Sequence, residues 1–498
     1  MNTKEKKSSS LFDNIFITIF VSLSLLFNII TPKMFQDLGF NIFNNPYNLL
    51  IFYFWNILFG YKATLVLFSF FPKRSINKLE KLTSIPKVAL LYLTKDDALY
   101  EPLNQLINQN YTNYDIFVLD DSENVSYSMF LDQFPYKKIR RKDKKGYKAG
   151  NINNWLNQFG LNYKYFIVLD SDSFIPHNYI EEMLKYSEYY ENNNVAIFQS
   201  KLTAYESKNL LSKYQQLLLQ LNQYFFEIIA NRITTMQNWG HNILVRTDAI
   251  MDCGGFNEEF IGEDVATTFD LIEIGWLCRF VDIPSWENVT VSLEAFTKRN
   301  VRIFLSNFQI LIKGKWSISV FHKIFLFMSI FPTIVMILTL PLLFYFIWFF
   351  PISINNFECK LLNIYFEPLL IVWGYTIFLL FFDFPLYKKA NYSLYDFCIV
   401  KFTGITLMIH LIVPILLKIK NVLIYNKLIF EVTQKDNTIE RTKFIYIFPS
   451  ILIFLFLVAG VIFNPVTLLF NAHWLIIFFL SFFMLLIIEK ETKTYIKA

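Results

Sequence analysis

The sequence predicts an α/β domain with a mostly parallel sheet, inserted into a set of membrane-spanning α-helices. Hydrophobic residues make up 54% of the 498 residues, and the mean hydropathy is +0.35. Both values are high for a soluble globular protein and indicate membrane helices. Between 72 and 319 no long apolar run occurs, and this middle block carries most of the Asp and Glu. This distribution predicts one soluble domain held between membrane segments.

The apolar runs outside this block are long enough to cross a bilayer, which takes about 20 residues in a helix. The first follows Lys4, Lys6 and Lys7, as a signal peptide would, but its length and the lack of a small-residue cleavage site favour an uncleaved helix. The runs fall at 11–30, 47–71, 320–350, 363–385, 398–417, 443–464 and 466–488.

Positive charge predicts the orientation, because Lys and Arg near membrane segments are retained in the cytoplasm. Lysines flank the 398–417 run on both sides, in 386–397 and in 418–428. We therefore expect 398–417 to lie in the membrane interface or to dip in and return, which leaves six spanning helices and both termini in the cytoplasm. The alternative is seven spanning helices with the C-terminal tail outside, which hydropathy alone favours.

The predicted order of segments follows from these runs. It is two spanning helices over 1–72, a cytosolic domain over 73–300, an amphipathic interface helix over 301–319, two spanning helices over 320–385, an interface helix and cytoplasmic loop over 386–442, two spanning helices over 443–488 and a cytosolic tail over 489–498.

Within the cytosolic domain, short apolar runs alternate with helical stretches such as 98–109 and 178–190. The runs are rich in β-branched and aromatic residues, as strands are. Alternating strands and helices favour a parallel sheet that binds its ligand beyond the carboxyl ends of the strands. The predicted strands are 87–94, 114–121, 163–170 and 195–202.

Polar residues stand at the ends of these strands: Thr94 to Asp97, Asp120 with Asp121, Asp170-Ser171-Asp172 (the DSD turn), and Gln199. Carboxylates gathered in one crevice repel one another and favour a bound cation. Mg²⁺ prefers one or two carboxylates together with phosphate oxygens, so a nucleotide diphosphate bridged by a metal would fit. The alternative is that the DSD turn is an ordinary solvated turn.

Two other classes of site are not indicated. Cys253, Cys278, Cys359 and Cys398 form no spaced pairs, so neither a zinc site nor a disulfide framework is expected. No basic run is interleaved with aromatic residues, so no nucleic-acid partner is expected.

The motifs read in order resemble the processive, membrane-embedded family 2 glycosyltransferases, which include cellulose synthase, hyaluronan synthase and the glucosyltransferase of osmoregulated periplasmic glucans. The resemblance covers about 90–440; WGHN and KR-x-x-R look most like the periplasmic-glucan enzyme, and FEVTQK looks like the gating loop of cellulose synthase. The motifs are QNYTNYDIFVLDDS (109–122), GYKAGNIN (146–153), VLDSDS (168–173), NWGHNILVR (238–246), GGFNEEFIGED (254–264), KRNVRI (298–303) and FEVTQK (430–435).

The resemblance implies a GT-A type domain that polymerises a UDP-sugar, with UDP-glucose favoured, into a β-linked glucan. Asp264 would be the general base, and Asp170 and Asp172 would bind Mg²⁺, with Mn²⁺ also able to serve. His241 and Glu263 would contact the acceptor. The implied nucleotide-sugar contacts are Thr94, Asp97, Asp120, Asp121, Lys148, Asp170, Arg299, Arg302, Thr433 and Lys435.

The chain departs from the family pattern at two main positions. Gly262 replaces a Thr, and Ile303 replaces the Trp that stacks on the acceptor sugar in relatives; Trp316 has the wrong spacing to take its place. Plainer interpretations also stand. Asp264 could be a helix N-terminal acid, Lys148 a surface charge and His241 a packed or capping residue, and 298–318 also fits a basic amphipathic helix.

The implied partners are a UDP-sugar, the growing polysaccharide and the lipid bilayer of the plasma membrane, with the oligomeric state left open. The first alternative function is a non-processive transferase that adds one sugar to a lipid carrier. The second is a transporter with a nucleotide-sensing cytosolic domain, against which the combination of Asp264, the paired arginines and the DSD turn argues.

Overall fold

The computed structural model describes residues 3–37, 46–354, 380–423 and 482–492, with a few isolated positions between 451 and 480. The helices are α1 Thr3–Asp37, α2 Pro46–Phe68, α3 Tyr100–Asn104, α4 Val125–Asp132, α5 Tyr147–Phe159, α6 Tyr179–Ser187, α7 Leu210–Ile229, α8 Thr247–Asp252, α9 Glu263–Glu273, α10 Leu293–Lys313, α11 Val320–Ile354, α12 Phe384–Lys389 and α13 Leu394–Leu423. The strands are β1 Val88–Thr94, β2 Tyr114–Asp120, β3 Lys137–Ile139, β4 Tyr165–Asp170, β5 Ser173–Phe174, β6 Val195–Ala204, β7 Ile243–Arg246 and β8 Leu277–Glu287.

The strands form one sheet in the order β3-β2-β1-β4-β7-β6-β8-β5. β1 pairs in parallel with β2 and β4, and β6 pairs in parallel with β8. β7 lies between β4 and β6 and is antiparallel to both, so β4 and β6 run in the same direction. The four predicted strands and the mostly parallel sheet are confirmed.

Both faces of the sheet are buried, as is usual for parallel strands covered by helices. Every residue of β1 is buried, and its side chains alternate between two apolar clusters. Trp155 of α5 packs on the face that receives Leu91, whereas Met183 of α6 packs on the face that receives Leu90. Burying a large apolar side chain contributes roughly 1.5–3 kcal/mol. The strand ends are therefore fixed relative to one another by a rigid core.

Four helices in the described part of the chain are long and apolar enough to span a membrane: Leu11–Lys33, Leu49–Phe68, Val320–Thr339 and Leu394–Ile419. The first three coincide with predicted spanning helices. The fourth lies within α13, which is one continuous helix across 398–417. Its predicted place at the membrane interface stays a prediction. The predicted spans at 363–385, 443–464 and 466–488 fall largely outside the described residues.

The helix expected over 301–319 has different bounds. It is α10, which begins at Leu293 and ends at Lys313. Ser292 caps its start, because the Ser292 hydroxyl accepts a hydrogen bond from the Ala295 N–H. A capping hydroxyl satisfies one of the free N–H groups of the first turn and so fixes where the helix begins. Since α10 begins before the expected boundary, Arg299 and Arg302 both lie on it.

Polar contacts join the sheet domain to the long helices. The Asp13 carboxylate of α1 accepts hydrogen bonds from the N–H and the hydroxyl of Thr234. The Thr297 hydroxyl of α10 lies 3.0 Å from Nε2 of His410 on α13. Cys253, Cys278 and Cys398 are free thiols in the described part of the chain, and Cys359 lies outside it.

Candidate active site

The carboxyl ends of β1, β2 and β4 lie side by side. Thr94 is the register partner of Asp120, and Asp170 is the register partner of Leu93. These three strands therefore place Thr94, Asp120 and Asp170 together at one edge of the sheet, which is the candidate crevice. Gln199 does not belong to this set, because β6 continues to Ala204 and Gln199 sits at an irregularity within the strand. Its buried amide oxygen instead accepts a hydrogen bond from the Trp239 N–H.

The loop after β1 is tied to the DSD turn through Asp97. One carboxylate oxygen of Asp97 accepts a hydrogen bond from the Thr94 hydroxyl at 2.8 Å, and the other accepts one from the Ser171 hydroxyl at 2.7 Å. The Tyr92 hydroxyl donates to the carbonyl oxygen of Ser171 at 2.8 Å. The structure thus brings Thr94 and Asp97 together and uses both to hold the turn that carries Asp170 and Asp172.

Two arginines that were not predicted from the sequence engage the acids after β2. Arg141 forms a bidentate pair with Asp121, at 2.9 and 2.7 Å, and the two side chains are almost fully buried. Arg140 Nε donates to Asp120 at 2.7 Å. Burial acts to raise the pKa of Asp120, but hydrogen bonds from Arg140 and Ser122 outweigh it and hold the pKa below its usual value. Each acid therefore has an arginine as its counter-charge.

Asp170 and Lys148 meet at the centre of the crevice. Lys148 Nζ donates to Asp170 Oδ1 at 2.5 Å, and His241 Nδ1 lies 3.8 Å from Asp170 Oδ2. Lys148 stands in the first turn of α5, two residues after Gly146, whose φ of +70° favours glycine. The contact with Asp170 places the Lys148 side chain, which is mostly buried, in the candidate site.

Asp264 and Glu263 occupy the first turn of α9, so Asp264 is a helix N-terminal acid, and its role in the site stays a prediction. Burial is the main cause that raises the pKa of each carboxyl, and the charge of Asp264 raises that of Glu263 further. The positive charge of Lys148 opposes both shifts. Gly240, with φ +81°, leaves room for Asp264, because a Cβ there would lie 3.3 Å from the Asp264 Cβ.

His241 lies between two carboxylates, those of Asp170 and Glu287. Its Nε2 is 2.9 Å from Glu287 Oε2, and its Nδ1 is 3.1 Å from the carbonyl oxygen of Trp239. Burial acts to lower the pKa of His241, but Asp170 and Glu287 outweigh it and raise the pKa. Glu287 also accepts a hydrogen bond from Arg299 Nη2 at 3.1 Å. A strand that ends in an acid, at Glu287, was the only signal for this residue in the sequence.

The two arginines of α10 differ in their surroundings. The charge of Glu287 is the main cause that raises the pKa of Arg299, and Asp172 and Asp170 add to it. Burial lowers the pKa of Arg302, although the neighbouring charge of Glu263 opposes that change.

The position of the family Trp and the predicted loop contacts have different outcomes. Ile303 is exposed, and Trp316 packs against Phe260 and Phe269. Trp316 therefore does not replace the missing Trp. Thr433 and Lys435 lie outside the described residues.

The carboxylates of the DSD turn would hold a hard cation such as Mg²⁺ only together with oxygen ligands from a bound substrate. Asp172 is buried and follows Asp170 in the same turn, and its charge acts on Arg299 together with that of Asp170. Within the described ranges, no group of three or more His, Cys, Asp and Glu side chains is arranged to hold a metal by itself. Two carboxylates from one turn match the way Mg²⁺ binds when phosphate oxygens complete its shell.

The sequence comparisons point to one family. Residues 165–383 match the model described as Glycosyl transferase family group 2. A protein named Glucans biosynthesis glucosyltransferase H from Xylella fastidiosa is 28% identical over 176 residues, which cover 32% of this chain and 26% of that protein. The protein of the same name from Klebsiella pneumoniae subsp. pneumoniae is 25% identical over 220 residues, covering 39% and 26%. The matches thus span about a quarter of these curated relatives.

Among solved structures, a mannosyltransferase from Pyrobaculum calidifontis in complex with GDP-Man and Mn²⁺ aligns with a TM-score of 0.43 at 14% identity, over 70% of this chain and 94% of its own. The resemblance of the motifs to the periplasmic-glucan glucosyltransferases is confirmed by the family match and the named relatives.

Proposed function

Because residues 165–383 match the family 2 glycosyltransferases, we propose that this chain is an inverting, processive enzyme that polymerises a UDP-sugar, UDP-glucose first, into a β-linked glucan. One observation carries the proposal. The Asp264 carboxyl, with its raised pKa, stands in a crevice with the basic side chains of Lys148 and His241, and both lie beside Asp170 of the DSD turn. A candidate base would thereby adjoin a candidate diphosphate site.

The residues would divide the reaction between them. Asp264 would take the proton of the acceptor hydroxyl as its oxygen attacks the anomeric carbon. The bond between that carbon and the diphosphate oxygen would break, and UDP would leave with the electron pair. Because attack comes from the face opposite to the leaving group, an α-linked donor gives a β-linked product. Glu263, beside Asp264, would contact the acceptor.

The negative charge that develops on UDP needs compensation. Lys148 and Arg299 would lie on the diphosphate side of the crevice, given their contacts with Asp170 and Glu287. Arg302 would add a planar donor group that suits phosphate oxygens. Asp170 and Asp172 would hold Mg²⁺ or Mn²⁺, a cation that supplies charge compensation for the leaving diphosphate.

The donor's nucleotide would lie over β1 and β2. Thr94, Asp97, Asp120 and Asp121 border that end of the crevice. Thr433 and Lys435, which lie outside the described residues, would contact the nucleotide. The catalytic domain and both termini would be cytoplasmic, and the membrane helices would carry the polymer out, since a bare polysaccharide is costly to place in lipid.

The test is incorporation of radiolabelled UDP-glucose into ethanol-insoluble polymer by membranes that contain the full chain. We expect polymer from the wild type and a loss of about 100-fold or more in the Asp264→Asn variant, the usual scale for a general base. Equal polymer from both would contradict the role of Asp264. A short, lipid-extractable product would instead show a transferase that acts on a lipid carrier.

A further inference from the structure

The residue that joins the two sides of the crevice is Glu287. It is the last residue of β8 and the register partner of Ser173, which directly follows the DSD turn. Only 4% of its surface is exposed. A carboxylate buried to this extent is costly unless its oxygens are paired.

Each oxygen of Glu287 contacts a different basic side chain from a different part of the chain. Oε2 lies 2.9 Å from Nε2 of His241, in the loop before β7, and Oε1 accepts from Nη2 of Arg299 on α10 at 3.1 Å. The charges of Arg299 and His241 hold the pKa of Glu287 down to about 2 against the effect of burial. The carboxylate is therefore ionised and fixed at both oxygens.

Both partners of Glu287 border the DSD turn. His241 lies 3.8 Å from Asp170 at its other ring nitrogen, and the charge of Arg299 interacts with those of Asp170 and Asp172. We propose that Glu287 is a positioning residue that holds Arg299 and His241 in register around the diphosphate of the donor. This inference rests on the proposed function, because it takes a nucleoside diphosphate as the ligand of the crevice.

The test uses the full-length chain in detergent. UDP affinity is measured calorimetrically with Mn²⁺ present, and KM and kcat are measured with UDP-glucose. We expect Glu287→Gln, which keeps the size but removes the charge, to lower UDP affinity and kcat/KM about 10- to 100-fold, as loss of an outer-shell partner does. Glu287→Asp keeps the charge but is one methylene shorter, so we expect it to recover little of the loss.

Glu227→Gln is the matched control. Glu227, on α7, is a similarly buried carboxylate. It lies between two cations, Lys73 and Lys201. We expect this variant to leave UDP affinity unchanged, because neither lysine contacts the DSD turn. A parallel loss in both variants would show a general effect of removing a buried charge and would overturn the proposal.

A double-mutant cycle gives the sharper test. If Glu287 acts through Arg299, then Glu287→Gln costs much less in an Arg299→Gln background, since contacting residues couple. Additive effects, or full recovery of UDP affinity by Glu287→Asp, would overturn the positioning role.

The affinity and transfer measurements separate this inference from the proposed function. Loss of UDP affinity in Glu287→Gln supports the positioning role, whether or not the wild type transfers sugar from UDP-glucose. Absence of that transfer in the wild type would contradict only the proposed donor. Equal UDP affinity in the wild type and Glu287→Gln would overturn the positioning role and leave the proposed function standing. A wild type that binds no UDP would overturn both.

Discussion

Two pairs of neighbouring acids, Asp120 with Asp121 and Glu263 with Asp264, lie at the same crevice in opposite environments. The first pair follows β2 and is met by Arg140 and Arg141. The second pair opens α9, where burial raises the pKa of both carboxyl groups. The same kind of residue thus has arginine as its counter-charge at one end of the crevice and a raised pKa at the other.

This difference indicates which pair of acids is suited to proton transfer. A carboxylate held by arginine binds its proton too weakly to act as a base near neutral pH, whereas a desolvated one with a raised pKa binds it more strongly. Asp120 is therefore suited to holding structure in place and, in the proposed function, to holding the donor. Asp264 is suited to accepting the proton that the acceptor hydroxyl gives up.

The largest expected effect comes from breaking the pair between Asp121 and Arg141. Asp121→Asn leaves a buried guanidinium without its counter-charge, and we expect a loss of about 3 kcal/mol in the free energy of unfolding. Arg141 also donates to the carbonyl oxygens of Lys145 and Tyr147, so the start of α5 and Lys148 should loosen too. Chemical denaturation of the full chain in detergent, followed by tryptophan fluorescence, measures the change.

Asp143→Asn is the control for that measurement. Asp143 pairs with Lys145 in the same loop, but both side chains are largely exposed. Exposed ion pairs contribute little to stability, so this variant should unfold like the wild type. Equal losses in the two variants would mean that the Asp121 pair is no stronger than a surface pair.

The second prediction concerns pH. Because the pKa of Asp264 is raised, the base becomes protonated at a higher pH than an ordinary Asp, and kcat/KM should fall about tenfold per pH unit below that pKa. Burial is the main cause of the raised pKa, so Glu263→Gln, which keeps Asp264 buried, should leave the fall at a similarly raised pH. A fall that moves to the pH range of an ordinary Asp in this variant would show that the charge of Glu263, and not burial, raises the pKa of Asp264.

The stability contribution of Asp120 gives the third prediction. Its pKa is lowered in the folded state, so its stabilising effect is present above the pKa of the unfolded chain and is lost as pH falls through the folded pKa. Activity governed by Asp264 should therefore be lost at a higher pH than the stability that Asp120 provides. Activity and thermal denaturation, followed over one pH series, measure the two losses. If activity and stability are lost at the same pH, the contrast between the two pairs of acids is contradicted.

The sequence predicted the strands and the acids that end them, because each is an apolar run closed by polar residues. It did not reveal Arg140 and Arg141, since β3 is only three residues long and lies in a charged stretch. Glu287 was missed because Pro284 argues against a strand, yet β8 continues past an irregularity in its pairing with β6. Contacts between distant segments, such as His241 with Glu287, depend on that pairing and carry no local signal.

The smallest expected effect is that of a substitution at Ile303, which tests how the acceptor sugar is bound. Ile303 is exposed and directly follows Arg302 on α10, so Ile303→Trp should fit without loss of stability. An aromatic ring there could stack on a sugar and, at about 1 kcal/mol, would lower the KM for an acceptor oligosaccharide roughly fivefold. UDP affinity, which in the proposed function depends on the other end of the crevice, should not change. Ile312→Trp, at a similarly exposed position farther along α10, should alter neither value; an equal drop in KM there would mean that added apolar surface, not stacking beside the site, binds the sugar.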